Sequence, residues 1–141
     1  MYKALDIAQY VLYRYMELNK SITNLKLQKL LYFIQRKSLR VNERPMFNEI
    51  IEAWQFGPVV PCVYYKYVGA GASEIYEFSM PDVKFDQEDI DVMEDVIHKY
   101  IDSNPWVMVD ETHNEGTAWD RTVKTGVYKP VIDKEDIRIY G

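Results

Sequence analysis

The residues best suited to acid–base chemistry lie close together near position 113. His113 is preceded by Glu111 and followed by Glu115, and a carboxylate beside an imidazole can fix its tautomer and raise its basicity. Such a pair could act as the general base of a hydrolase. The chain has no HExxH, GxSxG, Walker or GxGxxG pattern to support that role. The favoured interpretation of His113 is therefore a hydrogen bond to a neighbouring helix, with the hydrolase as the alternative.

Residue types that bind metals or form disulfides are few or poorly placed. Cys62 is the only cysteine, so an intramolecular disulfide is impossible and a cysteine-based metal site is not expected. Seven acidic residues lie between Asp82 and Asp95. Helical spacing directs most of them to solvent, and no EF-hand spacing is present. We predict no metal, no cofactor and no enzymatic activity.

A stripe of cations on the second predicted helix is a candidate surface for binding a partner. The chain is acidic, with 17 basic and 22 acidic residues and a net charge of −5, which argues against a general nucleic-acid binder. At 100° per residue, one helix face nevertheless collects Lys26, Lys29, Arg36, Lys37 and Arg40, with Phe33 among them. This stripe is either a solvated helix surface or a docking face for an acidic partner; a phosphate backbone is the weaker alternative. We favour Lys29, Phe33, Arg36 and Arg40 as partner-binding residues because they have no evident core role.

A second candidate surface lies in the stretch Ile51–Tyr67, which reads IEAWQFGPVVPCVYYKY. Its first residues alternate as in a short strand, Gly57-Pro58 then breaks the run, and helical spacing follows. The pattern predicts a strand, a hinge and a helix, with Gly57 and Pro58 as structural residues. Three aromatic residues near the hinge either complete a core corner or are presented to a partner: Trp54, Phe56 and Tyr65.

The elements that must position these residues are mostly helical. Thr23, Asp86, Asn104 and Thr117 are predicted N-caps, and Thr117 precedes a turn that carries Trp119. The predicted helices are Ala4–Asn19, a helix from Thr23 to Val41, the helix after the hinge, Gln87–Asp102, a helix from Asn104-Pro105 to His113, and a short docked helix after Asp133. Strands are expected at Glu49–Gln55 and Ile75–Phe78. We predict a mainly α, compact single-domain bundle of about five to six helices over residues 1–141, with a small two-stranded β element.

The N-terminal segment gives no sign of a targeting sequence. Asp6 and Gln9 interrupt it where a signal peptide would be uniformly apolar. No apolar run approaches the length needed to span a bilayer. We expect a soluble, cytoplasmic protein with no membrane partner, and nucleic acid is not favoured as a partner.

Three segments together resemble a known family. They are Thr23–Gln35 (TNLKLQKLLYFIQ), Phe47–Tyr67 (FNEIIEAWQFGPVVPCVYYKY) and Thr112–Trp119 (THNEGTAW). Their order and spacing are similar to the Panacea domain, which is the SocA-like antitoxin domain also known from phage-associated GepA-like proteins. The first two segments are specific in combination, and the likeness covers about residues 4 to 140.

The resemblance implies a non-enzymatic, mostly helical protein of a bacterium or phage. It implies an antitoxin of a toxin–antitoxin system that binds and neutralises a cognate protein toxin encoded by a neighbouring gene. An alternative from the same family is an adaptor that delivers a toxin or another partner to an AAA+ protease. The family has no agreed catalytic residues, so the resemblance assigns none here.

Overall fold

The computed structural model describes residues 1–141 as seven α-helices, one 3₁₀ turn and a two-stranded antiparallel sheet. The elements in chain order are α1 Ala4–Glu17, α2 Asn24–Val41, β1 Glu52–Trp54, β2 Gly57–Val59, α3 Pro61–Lys66, a 3₁₀ turn Val68–Ala70, α4 Gln87–Tyr100, α5 Pro105–His113, α6 Ala118–Val123 and α7 Lys134–Tyr140. The prediction of a mainly α fold with a small two-stranded element is confirmed. The seventh helix is α6, because the turn predicted after Thr117 forms a regular helix.

Helix α2 is the central element of the fold. It packs against α1, α3, α4, α5, α7 and β2, and thirteen of its eighteen residues are buried. Its leucines and Ile34 supply the apolar face that the spacing predicts. Because neighbours surround the helix, its polar residues are also enclosed and need partners inside the fold.

Four of the helices begin after a residue whose side chain caps the helix N-terminus. The side chains of Thr23, Asn104, Thr117 and Asp133 each accept a hydrogen bond from a first-turn backbone N–H. Asp86 occupies the predicted N-cap position of α4, but its side chain forms no such bond. The acidic first turn of α4, with Glu88 and Asp89, still complements the helix dipole.

The sheet is a hairpin whose second strand begins at Gly57. Trp54 pairs with Gly57, Ala53 with Pro58 and Glu52 with Val59. The predicted hinge at Gly57-Pro58 is therefore wrong, because these residues belong to β2 and the turn lies one step earlier. Pro58 has no N–H to donate, and it is tolerated in β2 because its partner residue, Ala53, forms its hydrogen bond on the other side. The N–H of Ala53 points away from β2 and donates to the carbonyl oxygen of Pro130, 2.8 Å away.

The second strand predicted at Ile75–Phe78 is also wrong. Ile75 is buried and its N–H donates to the carbonyl oxygen of Ile22. Tyr76 and Phe78 are exposed, and only a single bridge joins Glu74 to Thr23. The alternating residues of this segment therefore lie in a loop, which is held to the rest of the fold at Ile75.

One cluster of 31 buried apolar residues forms the core and includes side chains from all seven helices. The hairpin joins this cluster through Ala53 and is extended on its other side by Val131, which bridges Glu52. None of the helices combines the length and apolarity that a bilayer-spanning segment requires.

Candidate partner-binding site

The structure places half of the favoured helix-two residues inside the fold. Lys29 has no exposed surface and Phe33 is 1% exposed. The Phe33 ring stacks on Tyr100 of α4 with centroids 4.6 Å apart. The expectation that these residues have no core role is wrong for Lys29 and Phe33, because α4, α5 and the hairpin cover this face of α2.

The remaining cations of the stripe have partners within the chain. Arg36 pairs with Glu111 at 3.4 Å, and Lys37 with Asp95 at 3.0 Å. Arg40 donates to the carbonyl oxygens of Arg138 and Gly141, each 2.8 Å away. The stripe is therefore not a continuous cationic surface, which removes the basis for the phosphate-backbone alternative.

The hairpin corner instead opens onto a cavity of about 740 Å³, which we call the hairpin groove. Two of the predicted residues, Trp54 and Phe56, line it. The third, Tyr65, lies beside the groove with its ring 6.1 Å from Trp54. Trp106 and Tyr128 also line the groove; no sequence pattern predicted them, because both lie far along the chain from the hairpin.

Aromatic pairs shape the hairpin groove. Phe56 and Trp106 meet edge to face with centroids 5.3 Å apart, and Trp54 meets Tyr64 at 4.9 Å. Phe56 is 48% exposed, Trp106 53% and Tyr128 80%. Large aromatic side chains left this exposed are enriched at protein interfaces. The groove therefore has the residue types of an interaction surface.

Polar side chains of α2 support the groove from beneath. The Lys29 ammonium donates to the carbonyl oxygen of Pro58 at 2.9 Å, and the Gln28 side chain accepts from the N–H of Val60 at 2.9 Å. Both residues are buried. Burial lowers the pKa of Lys29 from 10.5 to about 7, because desolvation penalises the charged form.

Two ring side chains hold the tip of the hairpin, and we call them the hairpin clamp: His113 and Trp119. The Trp119 indole N–H donates to the carbonyl oxygen of Trp54 at 2.8 Å. Nε2 of His113 lies 2.9 Å from the carbonyl oxygen of Gln55, and Nδ1 lies 2.7 Å from that of Val109. The clamp thus fixes two successive carbonyls at the tip, where Trp54 and the turn begin.

Gly57 allows α2 and α5 to approach the hairpin closely. Its φ is +112°, a region that disfavours residues with a Cβ. A Cβ here would lie 2.8 Å from Cε of Lys29 and 2.9 Å from Oγ1 of Thr112. Both the backbone angle and the available space therefore call for glycine at this position.

Comparison with known proteins assigns the family. Residues 27–120 match the family described as "Antitoxin SocA-like, Panacea domain". The chain belongs to this Panacea family. It is similar to the protein named "Antitoxin SocA" of Caulobacter vibrioides (strain NA1000 / CB15N), with 47% identity over 58 residues. That match covers 41% of this chain and 31% of the relative, and no solved structure matches the chain.

The matched part of this Panacea chain contains most of the site. Residues 27–120 include Lys29, the hairpin, Trp106 and both residues of the clamp. Tyr128 lies outside the match, although it lines the same groove. The hairpin and its supports thus fall within the family match, whereas part of the rim belongs to the segment after it.

In this Panacea chain, His113 and Glu111 are not arranged as the general base that the hydrolase alternative requires. Both ring nitrogens of His113 face backbone carbonyl oxygens, so neither is positioned to take a proton from a substrate. Glu111 accepts a hydrogen bond from Tyr100 and pairs with Arg36. No group of three or more His, Cys, Asp or Glu side chains converges as metal ligands would.

Proposed function

We propose that this protein is an antitoxin that binds a cognate protein toxin and neutralises it by direct contact. The observation that carries the proposal is the family match over residues 27–120. The relative named Antitoxin SocA is consistent with the same role. In this proposal the protein acts in the cytoplasm, is not an enzyme, and folds as one domain over residues 1–141.

The hairpin groove is the proposed contact surface. It combines exposed aromatic side chains with a rigid support, because the clamp and α2 both hold the hairpin. Rigid aromatic side chains make effective interface anchors, since little conformational entropy is lost when they are buried. Phe56, Trp106 and Tyr128 leave large apolar side chains exposed in this groove.

The proposal is tested by expressing the neighbouring gene alone and together with this protein. We expect the neighbour to arrest growth alone and this protein to restore growth. We also expect the two purified proteins to form a complex. A neighbour that is harmless alone, or that still kills beside folded antitoxin, would contradict the proposal.

The same assay separates direct neutralisation from the adaptor alternative. Direct binding predicts rescue in host strains that lack individual AAA+ proteases, with the toxin level unchanged. Rescue that occurs only with an active protease, accompanied by loss of the toxin, would favour the adaptor. Toxin abundance measured by immunoblot in both backgrounds decides between them.

A further inference from the structure

The hairpin groove contains positive charge and no negative charge. Sixteen residues line it and none is Asp or Glu; the positive charge is that of Lys129, since the other lysine, Lys29, is fully buried and burial lowers its pKa to about 7. The chain as a whole carries 22 acidic and 17 basic residues. The nearby carboxylate of Glu52 accepts a hydrogen bond from the Trp54 indole at 2.8 Å and does not line the groove. The groove thus differs in sign from the protein as a whole.

Lys129 holds its charge at the rim of the groove. Its ammonium lies 4.1 Å from the Trp54 ring centroid and 5.4 Å from that of Tyr128. It forms no ion pair within the chain. Its φ is +44°, a left-handed conformation that is uncommon for lysine. Lys129 is therefore held over the groove with its ion-pairing capacity unused.

The apolar part of the groove suits a short segment. Ten of the sixteen lining residues are hydrophobic, and Phe56, Val68, Trp106 and Tyr128 are all about half exposed or more. A volume of about 740 Å³ lies within the range of small-ligand pockets. It can accommodate a few side chains of a partner but not a large structural element.

We infer that the hairpin groove binds a short apolar segment of the toxin whose Asp or Glu pairs with Lys129. The inference rests on the proposed function and specifies the part of the partner that is recognised. Apolar side chains of the segment pack against Phe56 and Trp106, and the carboxylate meets the lysine where neighbouring rings exclude water and strengthen the pair. A nucleic acid fits less well, because its phosphates need a track of cations and only two lysines line this groove.

The first test titrates the purified toxin by calorimetry against groove variants and matched surface controls. Lys129→Glu and Trp106→Ala should each weaken binding about thirtyfold or more, the loss typical of an interface hot spot. Lys84→Glu and Phe78→Ala are the controls, since both residues are exposed and lie outside the groove. Both controls should bind as the wild type does. Tyr128→Ala is a second groove variant, and circular dichroism verifies that every variant is folded.

The second test identifies the segment and its charge. Overlapping synthetic peptides that cover the toxin sequence are titrated while tryptophan fluorescence is followed, because Trp54 and Trp106 both line the groove. The binding peptide should contain Asp or Glu beside apolar residues. Replacing that acid by Lys should abolish binding to the wild type and restore binding to Lys129→Glu.

The outcomes distinguish the inference from the proposed function. Wild-type-like binding by all folded groove variants would overturn the groove inference and leave the antitoxin role standing. A wild-type protein that fails to bind the toxin would overturn direct neutralisation, and the groove inference with it. Displacement of the toxin by a single-stranded oligonucleotide, with steep salt dependence, would assign the groove to nucleic acid and overturn the inference.

Discussion

Lys29 makes the stability of this protein depend on pH. Its ammonium is buried with one carbonyl partner and no carboxylate, and its pKa is lowered from 10.5 to about 7. Between these values the unfolded chain binds a proton that the folded chain does not. The free energy of unfolding should therefore rise with pH across this window, by up to about 1.4 kcal/mol per unit from this group. Urea denaturation at several values between pH 7 and 9 measures this slope.

Lys29→Met isolates this contribution, because methionine fills similar space without the charge. The slope between pH 7 and 9 should be smaller in Lys29→Met than in the wild type, whereas Lys84→Met, at an exposed site, should keep the full slope. The window ends below pH 10 because burial raises the pKa of Tyr32 and of Tyr100 to about 12. Those tyrosines lower stability only at higher pH. Equal slopes in all three proteins would show that folded Lys29 keeps its proton across this range, so that burial does not lower its pKa.

Residue burial was the part of the site that the sequence predicted least well. Helical spacing correctly groups Lys29 and Phe33 with the cations, but it assigns the whole group to the surface. Lys26 and Lys29 are instead buried, because backbone carbonyl oxygens from distant parts of the chain accept hydrogen bonds from their side-chain nitrogens. Spacing within one helix carries no information about acceptors that arrive from elsewhere in the chain. For Trp54 and Phe56 the sequence left two interpretations, a core corner or presentation to a partner, and the structure places both side chains in the lining of the hairpin groove.

At the scale of elements, the clamp couples α5 and α6 to the hairpin. The Trp119 indole N–H supplies a hydrogen bond to the carbonyl oxygen of Trp54. Trp119→Phe keeps a ring beside His113 but removes this donor. It should lower the free energy of unfolding by about 1 kcal/mol, the usual net value of one hydrogen bond. Trp106→Phe is the matched control, because Trp106 is exposed and lies on the rim of the groove.

Urea denaturation compares the two tryptophan variants directly. Trp106→Phe should unfold as the wild type does, since an exposed ring is replaced by another ring. If the proposed toxin binds at the hairpin groove, it should bind Trp119→Phe more weakly as well, because the hairpin loses part of its support. A stability loss in the control as large as in Trp119→Phe would refute the role given to the indole hydrogen bond.

The helices were predicted more accurately than the hairpin for a physical reason. Capping residues and apolar spacing act within a few residues, so Thr23, Asn104 and Thr117 correctly mark helix starts. The hairpin contains a proline that would normally exclude a strand. Pro58 is tolerated because its partner residue, Ala53, bonds away from β2. That register is set by tertiary contacts, which a local pattern does not contain.

At the scale of the whole molecule, we expect the cationic stripe on α2 to stabilise the fold and the rim of the hairpin groove to contribute little to stability. If the cationic stripe were only a partner-binding surface, reversing both arginines, Arg36→Glu with Arg40→Glu, would weaken partner binding without unfolding the domain. The structure predicts destabilisation instead. A glutamate at position 36 would face Glu111, and one at position 40 would face the carbonyl oxygens of Arg138 and Gly141 at the end of α7. We expect a loss of about 2 kcal/mol or more, with α7 released first.

Hydrogen exchange and urea denaturation of the double variant test this expectation. Amide protection should fall first in α7, because Arg40 ties its last turn to α2. Lys129→Glu is the contrasting variant: it lies at the groove rim without an ion pair, so it should retain stability and lose toxin binding. If the double variant instead unfolds like the wild type and loses toxin binding, the cationic stripe is the interface. The hairpin groove would then have to be reassigned, since both faces cannot account for the same loss of binding.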